Sequence, residues 1–214
     1  MTTLEIAELV VYGATVGIIL AAPIGPINIE IVRRGLRDGF MHSWLLGLGA
    51  LSADTIYALL IVSGFARFAE NEQLRVVLFF AGAAMMAYIG FGSLRSAFGE
   101  VDMQSSGLEI PRSRTYAAGF MLALLSPFGI VYWLTVGGGL AAEAVNRFGD
   151  GAAPVLVIGV MLGIFLWVTT LSTVAQVSRR FVTGPAIRWI TGISGVLLFG
   201  FAAWFLYSGL ALLL

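Results

Sequence analysis

Cysteine and lysine are both absent from this chain, histidine occurs once, and charged residues make up only 11% of it. Without cysteine there can be no disulfide, no thiol relay and no thiolate metal site. The one histidine, His42, falls near an expected loop, where a single imidazole makes neither a metal site nor a catalytic triad. An enzyme is therefore not expected, nor a cofactor. The absence of lysine matches a composition rich in alanine and glycine and carries no functional weight. Long polar segments are missing too: the longest, about Ala97–Arg114, is too short to fold round a core of its own.

What remains is apolar sequence, 59% hydrophobic over 214 residues, well outside the range of soluble domains. A membrane-spanning helix needs about 20 mostly apolar residues. Six stretches between charges meet that length: Leu9–Ile29, Ser43–Ala66, Val76–Leu94, Thr115–Ala142, Gly151–Ser178 and Trp189–Leu214. The first is read as a retained helix, because a signal peptide starts basic and this one carries Glu5 and Glu8. The expected fold is an all-α integral membrane protein of six transmembrane helices. Connections after the odd helices carry nine arginines against three on the other side, which places the odd connections in the cytoplasm and both termini outside.

Each half of the chain opens on a helix interrupted by proline. Pro23-Ile24-Gly25-Pro26-Ile27-Asn28 breaks the first helix, and Ser126-Pro127-Phe128-Gly129 breaks the fourth, half a chain later. The third and sixth helices also echo one another, around Gly82–Gly92 and Gly192–Phe201. Because three is odd, the second set of helices enters from the opposite face. Residues 1–98 and 115–214 are thus expected to be inverted three-helix repeats joined by residues 99–114, an architecture that forms substrate sites at broken helices near the midplane.

Proline ends one helix and suits the first position of the next. Gly25-Pro26 and Ser126-Pro127 therefore read as caps of half-helices, whose N–H groups and positive dipole ends would bind an anion deep in the membrane. A plain proline kink is the competing explanation.

Asp54 interrupts the uncharged run from Ser43 to Ala66. It lies about 12 residues past His42, roughly 18 Å into a core about 30 Å thick, beyond the reach of snorkelling. An intramembrane carboxylate marks an ion, proton or substrate path by default. Apolar surroundings favour its protonated form and a cationic neighbour its ionised form, as expected of a proton-coupling group that exchanges a proton for an ammonium. The alternative is a structural aspartic acid bonded to Ser52 or Thr55.

Glu30, at helical spacing from Arg33 and Arg34, is either an intrahelical ion pair or an acid at the cytoplasmic mouth. Asn28 either caps backbone or contacts a ligand. Trp133 and Trp167 lie too deep for an interfacial belt and either pack or line a cavity. Thr169, Thr170, Ser172 and Thr173 suit interhelical hydrogen bonds, and Gly13, Gly17, Gly47, Gly49, Gly159 and Gly163 suit close helix contacts.

The first break, together with Arg33-Arg34-Gly35-Leu36-Arg37-Asp38-Gly39, Gly47–Asp54 and Gly82–Arg95, resembles in order and spacing the first half of the lysine exporter (LysE/RhtB) family of amino-acid efflux proteins. Ser126-Pro127 through Trp133 resembles that family's second break. Two departures stand out: the usual Pro-Gly-Pro-Asn is expanded by Ile24 and Ile27, and Ser126 replaces an asparagine. The resemblance implies secondary amino-acid efflux across a bacterial inner membrane, often as a homo-oligomer such as a dimer, with no nucleic-acid partner.

The expected substrate-contact set is Pro23, Gly25, Pro26, Asn28, Asp54, Ser126, Pro127, Trp133 and Trp167. Two other readings remain at this point. One is efflux of a divalent, manganese-like ion on Asp54, Asn28, Glu30 and carbonyl oxygens; the other is a non-transporting membrane scaffold or subunit.

Overall fold

The computed structural model describes residues 1–23, 25–62, 72–98, 111–126, 129, 133, 137–149 and 151–212. Among them are eight α-helices and no strand: α1 (Thr3–Ala21), α2 (Pro26–Arg37), α3 (Phe40–Val62), α4 (Glu72–Phe98), α5 (Arg112–Leu124), α6 (Gly138–Phe148), α7 (Ala152–Ser178) and α8 (Gly184–Ala211). Five of these carry stretches long and apolar enough to cross a bilayer: α1, α7 and α8 throughout, Phe40–Leu60 of α3 and Val76–Phe98 of α4. Large apolar side chains such as Val77, Tyr88, Phe91, Trp189 and Tyr207 stand on the outer surface, where acyl chains would meet them.

Several helices extend beyond the expected spans: α3 begins at Phe40, α4 covers Glu72–Phe98 and α8 begins at Gly184. The first helix starts at Thr3 rather than Leu9, because Thr2 and Glu5 form a reciprocal cap: the Thr2 hydroxyl accepts from the Glu5 amide and the Thr2 amide donates to the Glu5 carboxylate at 2.7 Å. Counting only uncharged residues overlooks such a polar start. Within the apolar run Thr115–Ala142, α5 ends at Leu124, just before the expected break at Ser126-Pro127, and α6 begins at Gly138.

Glycine contacts fix how the helices run. Gly13 lies against Leu156 and Gly159, and Gly17 against Gly163, so α1 and α7 are parallel. A methyl group on Gly13 would stand 2.6 Å from the Leu156 carbonyl oxygen, and one on Gly159 would stand 2.7 Å from that of Val10, so the two backbones touch directly. In the same way α3 and α5 run parallel, with Gly119 on Leu46 and Tyr57 donating to the Leu124 carbonyl. Helices α4 and α8 run antiparallel, with Phe79 beside Gly209 and Gly90 beside Gly195, and Phe79 meets Phe205 edge to face at 5.6 Å.

Helices α3 and α7 are antiparallel neighbours joined by side-chain hydrogen bonds, as their hydroxyl residues suggested. Ser43 donates to the Ile31 carbonyl at 2.8 Å and lies 3.0 Å from the Ser172 hydroxyl; Trp44 donates to Thr169 at 3.1 Å. Gln176 of α7 accepts the Phe40 amide at 2.8 Å and so caps α3. Gly39, at φ +94°, makes the sharp turn from α2 into α3 in a conformation that disfavours other residues.

Candidate functional site

Backbone chemistry explains the first break. The α-helical ladder of α1 closes with the Ala22 amide on the Ile18 carbonyl at 2.9 Å, and Pro23 has no N–H to continue it. Gly25 is extended (φ −131°, ψ 179°), and Pro26 then occupies the first position of α2. Among the described residues no side chain caps α2, so its first amides face outward from the helix start.

Asn28 spans this break. Its Nδ2 donates to the carbonyls of Ala21 at 2.6 Å and Pro23 at 2.8 Å, supplying partners to the end of α1 from the start of α2. Its Oδ1 accepts from the Trp167 indole at 3.3 Å. Of its two expected roles, the backbone cap is the one observed, with a tryptophan bond that the sequence did not indicate.

The depth of the break follows from α7. Gly35 packs on Ala175 and Asn28 bonds Trp167, so α2 runs along α7 in the same direction as α1. Trp167 comes 15 residues after Ala152 and 11 before Ser178, about 22 and 17 Å along the axis at about 1.5 Å per residue. The interruption therefore sits near mid-height of α7.

At the second break, the Leu125 amide donates to Met121 at 2.9 Å and the Ser126 amide to Ala123 at 3.1 Å, closing α5. Pro127, Phe128 and Tyr132 lie outside the described residues, as does the expected start of a half-helix at Pro127. Ser126, Gly129 and Trp133 are described, and all three face the space into which the first break opens.

That space is a cavity of about 340 Å³. The first break contributes Pro23, Gly25, Pro26 and Asn28 to its wall, α3 contributes Asp54, and α7 contributes Trp167. Every described member of the expected contact set therefore lines one cavity, although the set is scattered over more than half the chain. Most of the remaining wall is aliphatic, including Ile27, Ile31, Ala50, Ile164 and Val168.

Asp54 is held differently from either expected hydrogen bond. Ser52 donates to Leu48 at 2.9 Å and accepts from the Tyr116 hydroxyl at 2.6 Å, and Thr55 donates to Leu51 at 2.8 Å, so both hydroxyls have other partners. The partner is Trp133, whose indole Nε1 donates to Asp54 Oδ1 at 3.1 Å. Indole is a donor that usually finds an acceptor when buried, which is the one cue that could have suggested the pair.

Glu30 is a correction. It does not line the cavity; its carboxylate is fully buried and enclosed by guanidinium groups, with Arg33 Nε at 2.7 Å and Arg34 Nε at 2.7 Å. Arg34 also donates to Thr115 of α5 at 3.1 Å. The helical spacing gave the pairing correctly, but the acid is buried with its partners rather than open at a mouth. Among the described residues no group of three or more His, Cys, Asp or Glu could hold a metal ion.

A membrane-embedded helical chain with a cavity between two helix breaks has the form of a carrier, and comparison with known proteins gives the family. Residues 18–209 match the model for the LysE type translocators, and the chain belongs to that family. It is similar to the putative amino acid efflux protein YcgF of Bacillus subtilis, 31% identical over 92% of this chain and 95% of the relative. It is also similar to the chemotactic transduction protein ChpE of Pseudomonas aeruginosa (32% identical; 83% and 87% covered) and to the arginine exporter protein ArgO of Pectobacterium carotovorum (26%; 89% and 92%). No solved structure matches the chain.

Proposed function

We propose that this protein is a secondary carrier that exports amino acids from the bacterial cytoplasm, and that the cavity between the two breaks is its substrate site. The observation that carries the reading is the meeting of an uncapped helix start, a lone carboxylate and two indoles in one cavity at mid-height. The names of the Bacillus and Pectobacterium relatives agree with it.

The architecture is six crossings in two inverted repeats, with α1 and α2 forming one broken crossing and α5 and α6 another. The contact pattern supports this. Exchanging α1 with α5, α3 with α7 and α4 with α8 turns the parallel α1–α7 seam into the parallel α3–α5 seam and returns the antiparallel α4–α8 and α3–α7 pairs to themselves. The arginine distribution supports termini on the periplasmic or extracellular side of the inner membrane.

In this mechanism the substrate carboxylate lies against the first amides of α2, where the dipole end is positive. Its ammonium lies against Asp54, whose position Trp133 fixes. A proton arriving at Asp54 from outside removes the negative charge, weakens the ammonium contact and releases the amino acid outward. Asn28 acts by positioning the break and Trp167.

The test is counterflow. Proteoliposomes loaded with a mixture of unlabelled amino acids should take up labelled amino acid transiently, and protein-free vesicles should not. Absence of any such uptake overturns the carrier reading. One observation favours a second reading, a membrane subunit without transport: the ChpE relative is named for chemotactic transduction. That reading requires amino acids to leave the thermal stability of the purified protein unchanged. Manganese efflux is the weaker alternative, because Glu30, one of its expected ligands, is already taken by two arginines.

A further inference from the structure

Resting on the carrier reading above, we infer that the substrate is an amino acid with an uncharged, apolar side chain, and that basic amino acids such as the arginine named for the ArgO relatives are rejected.

Charge counting at the cavity leads there. An amino acid brings one ammonium and one carboxylate, and the described wall offers one carboxylate, Asp54, and one uncapped helix start. Both charges of a neutral amino acid are thereby matched. A basic side chain brings a second cation, and among the described wall residues no second acid meets it. Its charge would lose water against aliphatic groups without a counter-ion, which is strongly unfavourable.

Glu30 is the acid that could have served. It immediately precedes Ile31, a wall residue, but its carboxylate is bound by Arg33 and Arg34. That cluster carries one acid and two bases, so the turn of α2 behind the wall is net positive and repels a second cation rather than attracting it.

The wall chemistry agrees. Ile31, Ala50, Ile164 and Val168 supply a hydrocarbon surface, and the uncharged polar groups of the described wall are Ser126, Asn28 and the two indoles, of which Asn28 is engaged by the first break and Trp133 by Asp54. The volume, about 340 Å³, lies at the small end for ligand cavities, at roughly 300 to 1,000 Å³. A substrate of amino-acid size fits that space.

The experiment is a self-exchange panel in proteoliposomes containing the intact protein, each amino acid tested as labelled ligand against vesicles loaded with the same compound. Leucine, isoleucine, methionine and phenylalanine should exchange at least about tenfold faster than arginine and lysine, because a buried unpaired charged group is penalised heavily. Exchange of arginine or lysine as fast as leucine overturns the inference while leaving the carrier standing. Exchange of none of the panel overturns both.

Discussion

The Trp133 indole donates to the Asp54 carboxylate at 3.1 Å, linking two residues 79 positions apart in sequence. The bond joins the segment after the second break to the middle of α3. The acid that faces the cavity is therefore oriented by the opposite half of the chain, and motion of either half relative to the other would be felt at the carboxylate.

Trp133→Phe keeps a smaller aromatic ring and removes the donor. A hydrogen bond to a charged group contributes about 1.5–3 kcal/mol, so its loss should lower the ligand-free melting temperature, and a carboxylate no longer held in place should raise the half-saturating concentration for exchange. Concentration dependence of counterflow measures this. Identical half-saturation in the variant would separate Trp133 from the substrate site.

Asn28→Ala removes two donors from the Ala21 and Pro23 carbonyls and the acceptor from Trp167. Leaving such groups without partners costs about 1–3 kcal/mol each. The melting temperature should fall without any ligand present, along with transport. A side chain that served only to contact substrate would leave the ligand-free melting temperature where it was.

Glu30→Gln leaves Arg33 and Arg34 buried without their counter-charge. Breaking a buried pair in this way costs about 3–5 kcal/mol. The variant should melt well below the parent or fail to accumulate, whereas an acid at an open mouth would change transport and leave stability nearly intact. The contrast is readable from a thermal melt alone.

Gly159→Ala puts a methyl group 2.7 Å from the Val10 carbonyl oxygen, and backbone cannot move aside as a flexible side chain can. The α1–α7 seam should open, at about 1–3 kcal/mol. Gly200→Ala is the control, because nothing lies within 4 Å of the added methyl group and alanine is the better helix former. Equal melting temperatures for the two variants would contradict the seam described here.

Much of the fold was legible before any coordinates. Low charge and long apolar runs announced membrane helices, and Pro23 with Pro26 marked the end of one helix and the start of another. The glycine pairs Gly13 with Gly17 and Gly159 with Gly163 signalled close contact, though not that they contact each other. The position of Asp54 in an uncharged run singled it out, but its partner could not be read, because Trp133 approaches from a distant segment and local spacing carries no trace of it. Glu30 shows the same divide: its pairing is encoded at three- and four-residue spacing, while its burial depends on how α2 sits against α3, α5 and α7. The end of α5 at Leu124 was foreshadowed by Pro127, whereas nothing charged in the run Thr115–Ala142 marks the start of α6 at Gly138.

Asp54→Asn in proteoliposomes, with folding checked by an unchanged melting temperature, addresses the carboxylate directly. The substitution preserves shape and hydrogen-bond acceptance from Trp133 while removing the negative charge. Amino-acid counterflow should drop to the protein-free background. Counterflow equal to that of the parent protein would contradict a substrate site built round Asp54.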